Sequence, residues 1–201
     1  MHRAFVSLVS VFAFAVLFGV AAQQPAAPDR ELLNSERIEH AFGSYGIEVL
    51  SSTSAVRVSK LFSTHDGREI CRTFAVVAFP SSIDDAIATE HSLILQGGSI
   101  GATFAAAGWQ VSKVHHYFGE LPATDKVAVL MGGIEQRPLA VHVYALGVSK
   151  GGIEMEYASI VEVHHPDYLD HADIVGIYGP VDAASDGSVA ELLALTMRQM
   201  N

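Results

Sequence analysis

Glu162 is the residue of this sequence best placed to do chemistry. It lies between two valines in the strand-like run Met155–Leu169. Because side chains alternate along a strand, Ala158, Ile160, Glu162 and His164 are predicted to share one face. An ionised carboxylate in such apolar company is costly unless a cation or several hydrogen-bond donors meet it. Glu162 is therefore a candidate general acid or ligand-binding group, and the chain must supply its partner.

Two basic residues on a predicted hairpin are candidate partners. The runs Val56–Ser63 and Ile70–Phe79 are joined by a segment containing Asp66-Gly67, which is typical of a tight β-turn. Alternation along the two strands places Lys60 and Arg72 on otherwise apolar faces. Inward charges usually pair with each other or with a ligand, although both side chains can also reach solvent at a sheet edge.

A glycine-rich loop, Gly97–Gly101, is the second candidate for binding an anion. Ser99 can cap the short helix that follows, and the amides of Ile100 and Gly101 can then receive a carboxylate. Glycine-rich starts of helices are common, and most of them bind nothing. The loop therefore indicates an anion-binding site only if it lies close to Glu162.

The ten histidines raise the question of a metal site. Adjacent histidines on a strand face opposite ways, so each His-His pair offers one ligand to a given site. No spacing matches a strong zinc pattern, and we predict no metal site and no cofactor. We interpret the histidines in and beside the predicted strands as polar residues at strand ends. They are His115, His116, His142, His164, His165 and His171.

Composition limits the class of protein. The chain has 201 residues, half of them apolar, which suits one domain with a proper core. A formal charge of −10 disfavours a nucleic-acid partner, which requires a basic face. The same charge means that an anionic ligand must be attracted by a local arrangement. The single cysteine, Cys71, cannot form an intramolecular disulfide and is predicted to be a buried, inert thiol.

The N-terminal segment indicates export. Residues 1–22 combine a short basic start, an apolar run and small residues at the end, which predicts a secretory signal peptide and a periplasmic or secreted protein. A retained membrane anchor is the alternative, because the run is near spanning length. Residues 23–29 follow as a linker rich in Pro and Ala, residues 30–180 as the folded domain, and residues 181–201 as a C-terminal helix. We expect no stable membrane insertion after cleavage of the signal.

The remaining pattern predicts an α+β fold with a single antiparallel sheet covered by helices on one side. Hairpins alternate with helices, and no βαβ rhythm is present. The predicted elements are a helix between Asp29 and Gly43, a strand Ile47–Leu50, a helix from Ser82 or Asp84 to Gln96, a short helix Ala102–Ala107, a strand Trp109–Tyr117, a helix Asp125–Met131, a hairpin of Leu139–Val148 with Met155–Val163, an edge strand Ile174–Tyr178 and a helix Val189–Met200.

Four features in this order resemble a known family. They are a helix ending in Phe-x-x-x-Gly (Phe42 to Gly46), the hairpin with Asp66-Gly67, the helix start Ser99-Ile100-Gly101-x-x-Phe104, and a strand reading Glu-Val-His-His-Pro from Glu162. Over roughly residues 31–169 the chain resembles chorismate pyruvate-lyase and the superfamily that includes the ligand-sensing UTRA domains of GntR-type repressors. The resemblance implies a chorismate lyase-like fold with a buried pocket.

The resemblance also implies roles for particular residues. The catalytic carboxylate falls on Glu162 and the ligand-clamping amides on Ile38 and Ile100. The family's arginine, on the first strand of the hairpin, falls closest to Lys60, one residue out of register. Lysine cannot offer the bidentate fork that a carboxylate prefers, so Arg72 on the neighbouring strand is a possible replacement.

Three functions remain open at this stage. The first is a lyase that eliminates pyruvate from chorismate or a related enolpyruvyl compound, with Glu162 as general acid and Lys60 or Arg72 holding carboxylates. The second is a non-catalytic periplasmic module that binds a small anionic or aromatic carboxylate, which the predicted export and the missing arginine favour. The third is an envelope protein that acts through partners, with the helix Val189–Met200 as the contact.

Overall fold

The computed structural model describes residues 32–181 and 187–201, and in them six strands form one antiparallel sheet. The strands are β1 (Gly46–Ser52), β2 (Val56–His65), β3 (Arg68–Ala78), β4 (Gln110–Pro122), β5 (Pro138–Lys150) and β6 (Ile153–His164). Their order across the sheet is β1-β2-β3-β6-β5-β4. The two predicted hairpins are confirmed, and β6 joins them by pairing with β3. The predicted α+β class with an antiparallel sheet is confirmed.

Helices fill the connections between the strands. They are α1 (Asn34–Phe42), α2 (Ala88–Leu95, preceded by a 3-10 turn at Asp85–Ile87), α3 (Ile100–Ala106), α4 (Asp125–Leu130), α5 (His171–Tyr178) and α6 (Gly187–Met200). No helix in residues 32–181 and 187–201 is long and apolar enough to cross a membrane. The predicted signal peptide (1–22), the linker (23–29) and the predicted helix start near Asp29 lie outside the described residues.

The predicted edge strand Ile174–Tyr178 is wrong, because this segment belongs to the helix α5. The side chain of Asp170 accepts a hydrogen bond from the amide of Asp173, and the Asp173 side chain accepts one from the amide of Asp170. This reciprocal cap starts a helix. Ile174 is fully buried and Ile177 packs beside it, which is the three-residue spacing of a helical face.

Helices cover both faces of the sheet, so the expectation of cover on one side is wrong. On the face that we call the closed face, α4 and α6 pack over an apolar core. The buried strand residues of that core are Val58, Cys71, Phe74, Val76, Leu139, Val141, Val143, Val161 and Val163. Cys71 is buried there, and burial raises the pKa of its thiol to about 12, as expected for an inert cysteine. Met200 of α6 is buried in this core, and Leu192, Leu193, Leu195 and Met197 pack against it.

On the other face, which we call the cavity face, α1, α2, α3 and α5 enclose a less uniform interior. An aromatic cluster around Phe104 and Tyr157 fills the region beneath α2 and α3. Ile38 of α1 packs on Leu61 and Ala75. Gly101 lets α3 approach the chain just before α1, because a Cβ atom at this position would lie 2.7 Å from Leu33. These helices meet around a cavity rather than a filled core.

Tight turns set the register of both hairpins. Asp66 and Gly67 have φ angles of 49° and 74°, the left-handed pair that a two-residue hairpin turn requires. From this turn the residues of β2 and β3 pair in order until Leu61 and Thr73.

Register shifts interrupt four of the five strand pairs, and those at Arg72 and Tyr157 change which side chains share a face near Glu162. Arg72 has no partner on β2, since Leu61 pairs with Thr73 and Phe62 with Cys71. Tyr157 is the corresponding extra residue of β6, between Glu156 and Ala158. A bulge adds one residue and reverses the alternation beyond it. Arg72 therefore does not share the face of Phe74, nor Tyr157 the face of Val161, as strict alternation would require.

Candidate functional site

A cavity of about 590 Å³, a volume that includes the open space at its mouth, lies on the cavity face between the sheet and the first turns of α1 and α3. Its apolar wall comes from Leu33, Ile47, Leu61, Ala75, Val77, Leu146 and Ile160. Its polar wall comes from Asn34, Ser35, Tyr45, Arg57, Ser59, Ser99, Lys113, Tyr144 and Glu162. A concave site with an apolar body and a few converging polar groups is the usual form of a small-molecule site.

Glu162 lines this cavity and is 5% exposed. Its Oε1 accepts hydrogen bonds from Asn34 Nδ2 at 3.0 Å and from the Tyr144 hydroxyl at 3.2 Å. Burial, and secondarily the neighbouring Glu162, raise the pKa of Tyr144 well above its ordinary value, so the hydroxyl remains a donor. The hydrogen-bond donors that meet the buried Glu162 carboxylate are thus neutral side chains.

Asn34 is the first residue of α1 and links that helix to the sheet. Besides Glu162, its Nδ2 donates to Thr73 Oγ1 at 3.1 Å, and its Oδ1 accepts from the Tyr168 hydroxyl at 2.7 Å. The amide is therefore oriented from both ends. Sequence reasoning missed Asn34, because an asparagine at a helix start is usually a cap.

Arg57 is the cation of the cavity, and the sequence reasoning missed it. It is 1% exposed, and its Nη1 donates to the carbonyls of Ile94 and Gly98, both at 2.8 Å, while Nε donates to Ser59 Oγ at 3.0 Å. Its Nη2 has no hydrogen-bond partner among the described residues. Burial lowers the pKa of Arg57, but from a value so high that the side chain remains charged. The sequence pattern that could have indicated Arg57 is alternation along the strand, because Arg57 and Ser59 alternate with the apolar Val56 and Val58.

Lys60 does not line the cavity. It pairs directly with Phe74, a residue of the closed face, whereas Glu162 pairs with Ala75 on the cavity face. The Lys60 ammonium forms ion pairs with Glu48 at 2.6 Å and Glu69 at 2.7 Å at the sheet edge. The prediction that Lys60 lies beside Glu162 is therefore wrong.

Arg72 is buried, as predicted, but also lies away from the cavity lining. The bulge turns it toward α1, where its guanidinium carbon lies 3.8 Å from the centre of the Phe42 ring. Its Nε donates to Ser63 Oγ at 2.8 Å. Arg72 thus stabilises the contact between α1 and the hairpin through a cation–π interaction.

The glycine-rich loop is at the cavity and Ile38 is not. Ser99, Ile100 and Gly101 all line the cavity. Ser99 occupies the cap position of α3, but its side chain makes no capping hydrogen bond, so the predicted cap is absent. Ile38 is fully buried in the middle of α1, where helical geometry assigns its amide to the carbonyl of Asn34. The amide of Ile38 is therefore not available to a ligand of this cavity.

Lys113 adds a second cation to the wall. Its Nζ lies 4.6 Å from the centre of the Tyr144 ring and 5.9 Å from that of Tyr178. None of the described carboxylates lies within ion-pair distance of Lys113 or of Arg57. The cavity wall thus carries two cations and one carboxylate, a formal charge of +1 in a protein of −10.

Two histidines adjoin Glu162 on the side away from its hydrogen-bond donors. His142 is directly opposite Glu162 on β5, and His164 follows two residues later on β6. His142 Nδ1 and His164 Nε2 each lie 3.9 Å from Glu162 Oε2. Burial is the main cause that lowers the pKa of both rings, well below the ordinary value for His142 and to about 4 for His164. Both rings are therefore neutral near pH 7.

Comparison with known protein families and with curated proteins found no match to this chain.

Proposed function

We propose that the cavity binds a small organic anion that carries a carboxylate. The observation that supports this most directly is Arg57, a guanidinium of the cavity wall whose buried Nη2 has no hydrogen-bond partner among the described residues. A buried charge is stable only when it is paired or fully hydrogen-bonded. A carboxylate that accepts from Nη2 satisfies both conditions.

Local charge supports the same ligand class. Arg57 and Lys113 outweigh Glu162 on the wall, so the cavity attracts an anion although the protein as a whole repels one. Glu162 also disfavours a ligand carboxylate in direct contact with its own, so a ligand carboxylate is expected beside Arg57 or Lys113. A second carboxylate beside Glu162 would meet a like charge.

The apolar wall defines the rest of the ligand. Leu61, Val77, Leu146 and Ile160 face the same space as Arg57. Contact with these side chains favours a ring or a short hydrocarbon body over a sugar or a phosphate ester. A monocyclic aromatic acid combines the required body and charge.

Calorimetric titration of the purified protein with 4-hydroxybenzoate tests this proposal, with 4-hydroxybenzamide as the neutral probe of equal size. We expect the acid to bind and the amide to bind much more weakly. Arg57→Met should weaken binding of the acid more than roughly 10-fold, the loss expected for a charged hydrogen bond of about 1.5–3 kcal/mol.

Arg72→Met is the matched control, because it removes a second buried strand guanidinium that does not line the cavity. Its affinity for the acid should equal that of the wild type, and circular dichroism confirms the fold of both variants. Equal binding of acid and amide, absence of binding, or unchanged affinity of Arg57→Met would each overturn the proposal.

A lyase is the second candidate, and the position of Glu162 in the same wall favours it. In this reaction the C–O bond between the ring of chorismate and its enolpyruvyl oxygen breaks, and the ring loses a proton to become 4-hydroxybenzoate. The departing enolpyruvate gains a proton to become pyruvate. Glu162 would supply a proton at the ether oxygen, and Arg57 takes the place of the strand arginine that the family resemblance leads one to expect.

Incubation with chorismate and detection of pyruvate tests the lyase. Glu162→Gln should abolish release of pyruvate and retain binding of 4-hydroxybenzoate. Binding without any release of pyruvate by the wild type would leave the protein as a binding module, in the manner of the UTRA domains it resembles.

A further inference from the structure

We infer that His142, Glu162 and His164 form a binding site for one divalent transition-metal ion, with Zn²⁺ as the first ion to test. Each of the three side chains is buried, and each offers one ligand atom; these atoms all lie within 4.8 Å of one another. Two imidazoles and one carboxylate, with a coordination position left open, are the donor set of several catalytic zinc sites.

The sheet itself holds the three residues together. His142 and Glu162 are a directly opposed pair of β5 and β6, and His164 lies two residues beyond Glu162 on the same face. His164 is in turn directly opposed to Thr73 of β3. Ligands on two adjacent central strands are positioned more rigidly than ligands on loops.

The imidazole nitrogen atoms that face Glu162 make no other polar contact among the described residues. His142 Nδ1 and His164 Nε2 are buried and have no hydrogen-bond partner among the described residues. Their distances of 3.9 Å to Glu162 Oε2 are too long for hydrogen bonds. An ion bonded at about 2.0–2.2 Å to each ligand spans separations of up to roughly 4 Å, so small side-chain movements suffice.

The opposite atoms of all three groups are fixed, as in metal sites. His142 Nε2 lies 2.8 Å from His115 Nδ1, and His164 Nδ1 lies 3.1 Å from Thr73 Oγ1. Glu162 Oε1 is held by Asn34 and Tyr144, which leaves Oε2 toward the histidines. Such outer partners orient metal ligands and set the histidine tautomer.

The charge state of the rings agrees with this geometry, because burial keeps both histidines neutral and able to coordinate. Arg37 and Lys113 contribute positive potential at the same rings, which moderates the affinity for a cation. The inference does not depend on the carboxylate ligand. A coordinated Glu162 is no longer available as a proton donor, so metal binding and the general-acid role exclude each other.

The test is metal binding by the purified full-length protein after treatment with a chelator. With Zn²⁺ we expect one ion per chain to survive gel filtration, measured by atomic emission. With Co²⁺ we expect visible d–d bands of a site with low coordination number. A wild type that retains no ion and shows no such bands overturns the inference even if every variant misfolds.

Variants then locate the ion. His142→Gln, Glu162→Gln and His164→Gln should each weaken binding by more than roughly 10-fold, since even the outer partners of metal ligands contribute 10–100-fold. For the same reason Thr73→Val should weaken binding about 10-fold. His165→Gln is the matched control, because it is the sequence neighbour of His164 but faces the carbonyl of Met131.

The exposed His116 provides a second control if His165→Gln is unstable. Unchanged binding in the three ligand variants would place the ion elsewhere and overturn the inference. Titration of metal-free protein with 4-hydroxybenzoate examines the cavity alone, so failure of either proposal is recognised separately.

Discussion

The two faces of the sheet are built from the same strands but serve different ends. Along β6, Val161 and Val163 point into the closed face, whereas Ile160 and Glu162 point into the cavity face. The closed face is a continuous apolar core beneath α4 and α6. The cavity face instead buries charges and imidazoles around open space. Alternate residues of one strand thus carry stability and candidate function separately.

The unpartnered buried polar groups of the cavity face lower the free energy of unfolding. Buried polar groups without partners destabilise a fold, and the cavity face holds them at Arg57, His142 and His164. Apolar burial on the closed face offsets that cost. The comparison therefore predicts that substitutions of apolar residues on the closed face lower the free energy of unfolding most, and that substitutions of polar residues on the cavity face lower it less and can also change binding.

Phe74→Ala should have the largest effect. Phe74 is fully buried in the closed face, and removal of such a ring costs about 3–5 kcal/mol of unfolding free energy. Urea denaturation measures this. Binding of 4-hydroxybenzoate by the fraction that remains folded should be unchanged. A loss below about 1 kcal/mol would mean that the closed face does not carry the stability of the fold.

Acidification should destabilise the metal-free protein through the cavity face. The folded pKa of His164 is lowered to about 4 from its unfolded value of 6.5, so the unfolded chain binds more protons between these limits. The stability contributed by the neutral ring is complete above pH 6.5 and is lost as the pH falls toward 4. The expected loss is about 3 kcal/mol, and the lowered pKa of His142 adds to it.

Urea denaturation at several pH values in the presence of a chelator checks this prediction. His164→Gln should flatten the slope between pH 6.5 and 4, whereas replacement of the exposed His116 should not. An equal slope in wild type and His164→Gln would contradict the assignment.

Tyr144→Phe should have an intermediate effect. It removes one of the two donors to Glu162 Oε1 and leaves the ring in place. A hydrogen bond to a charged group contributes about 1.5–3 kcal/mol, so denaturation should show a loss in that range. Tyr157→Phe is the control on the same face, because its hydroxyl contacts His91 rather than Glu162. If Tyr144→Phe loses no more unfolding free energy than Tyr157→Phe, the hydrogen bond from Tyr144 to Glu162 does not stabilise the fold more than an ordinary one.

Lys60→Met should have the smallest effect. Lys60 pairs with two half-exposed carboxylates at the sheet edge, and such pairs contribute at most about 1 kcal/mol. Binding of 4-hydroxybenzoate should be unchanged, because Lys60 is not on the cavity face. Loss of binding in Lys60→Met, measured by calorimetry, would break the separation of the two faces.

The candidate site was only partly predictable from the sequence. The turn at Asp66-Gly67 follows from local rules and is confirmed, and Glu162 shares the face of Ile160 as alternation predicts. The apolar surroundings expected for Glu162 are wrong, because Asn34, Tyr144 and two histidines lie beside its carboxylate. The participation of the loop at Ser99 follows from composition. The choice of cation did not follow: Lys60 and Arg72 were predicted beside Glu162, and Arg57 lines the cavity instead.

What the sequence by itself determined is the α+β class, the two hairpins and the face of Glu162, because turn chemistry and alternation act over a few residues. The tertiary structure decided the rest, in part through the bulges at Arg72 and Tyr157. Without the bulge at Tyr157, the register of the Gly151-Gly152 turn would pair Glu162 with Val141; with it, His142 is the partner. Packing of the whole sheet places a bulge, so no local pattern predicts which histidine lies opposite Glu162.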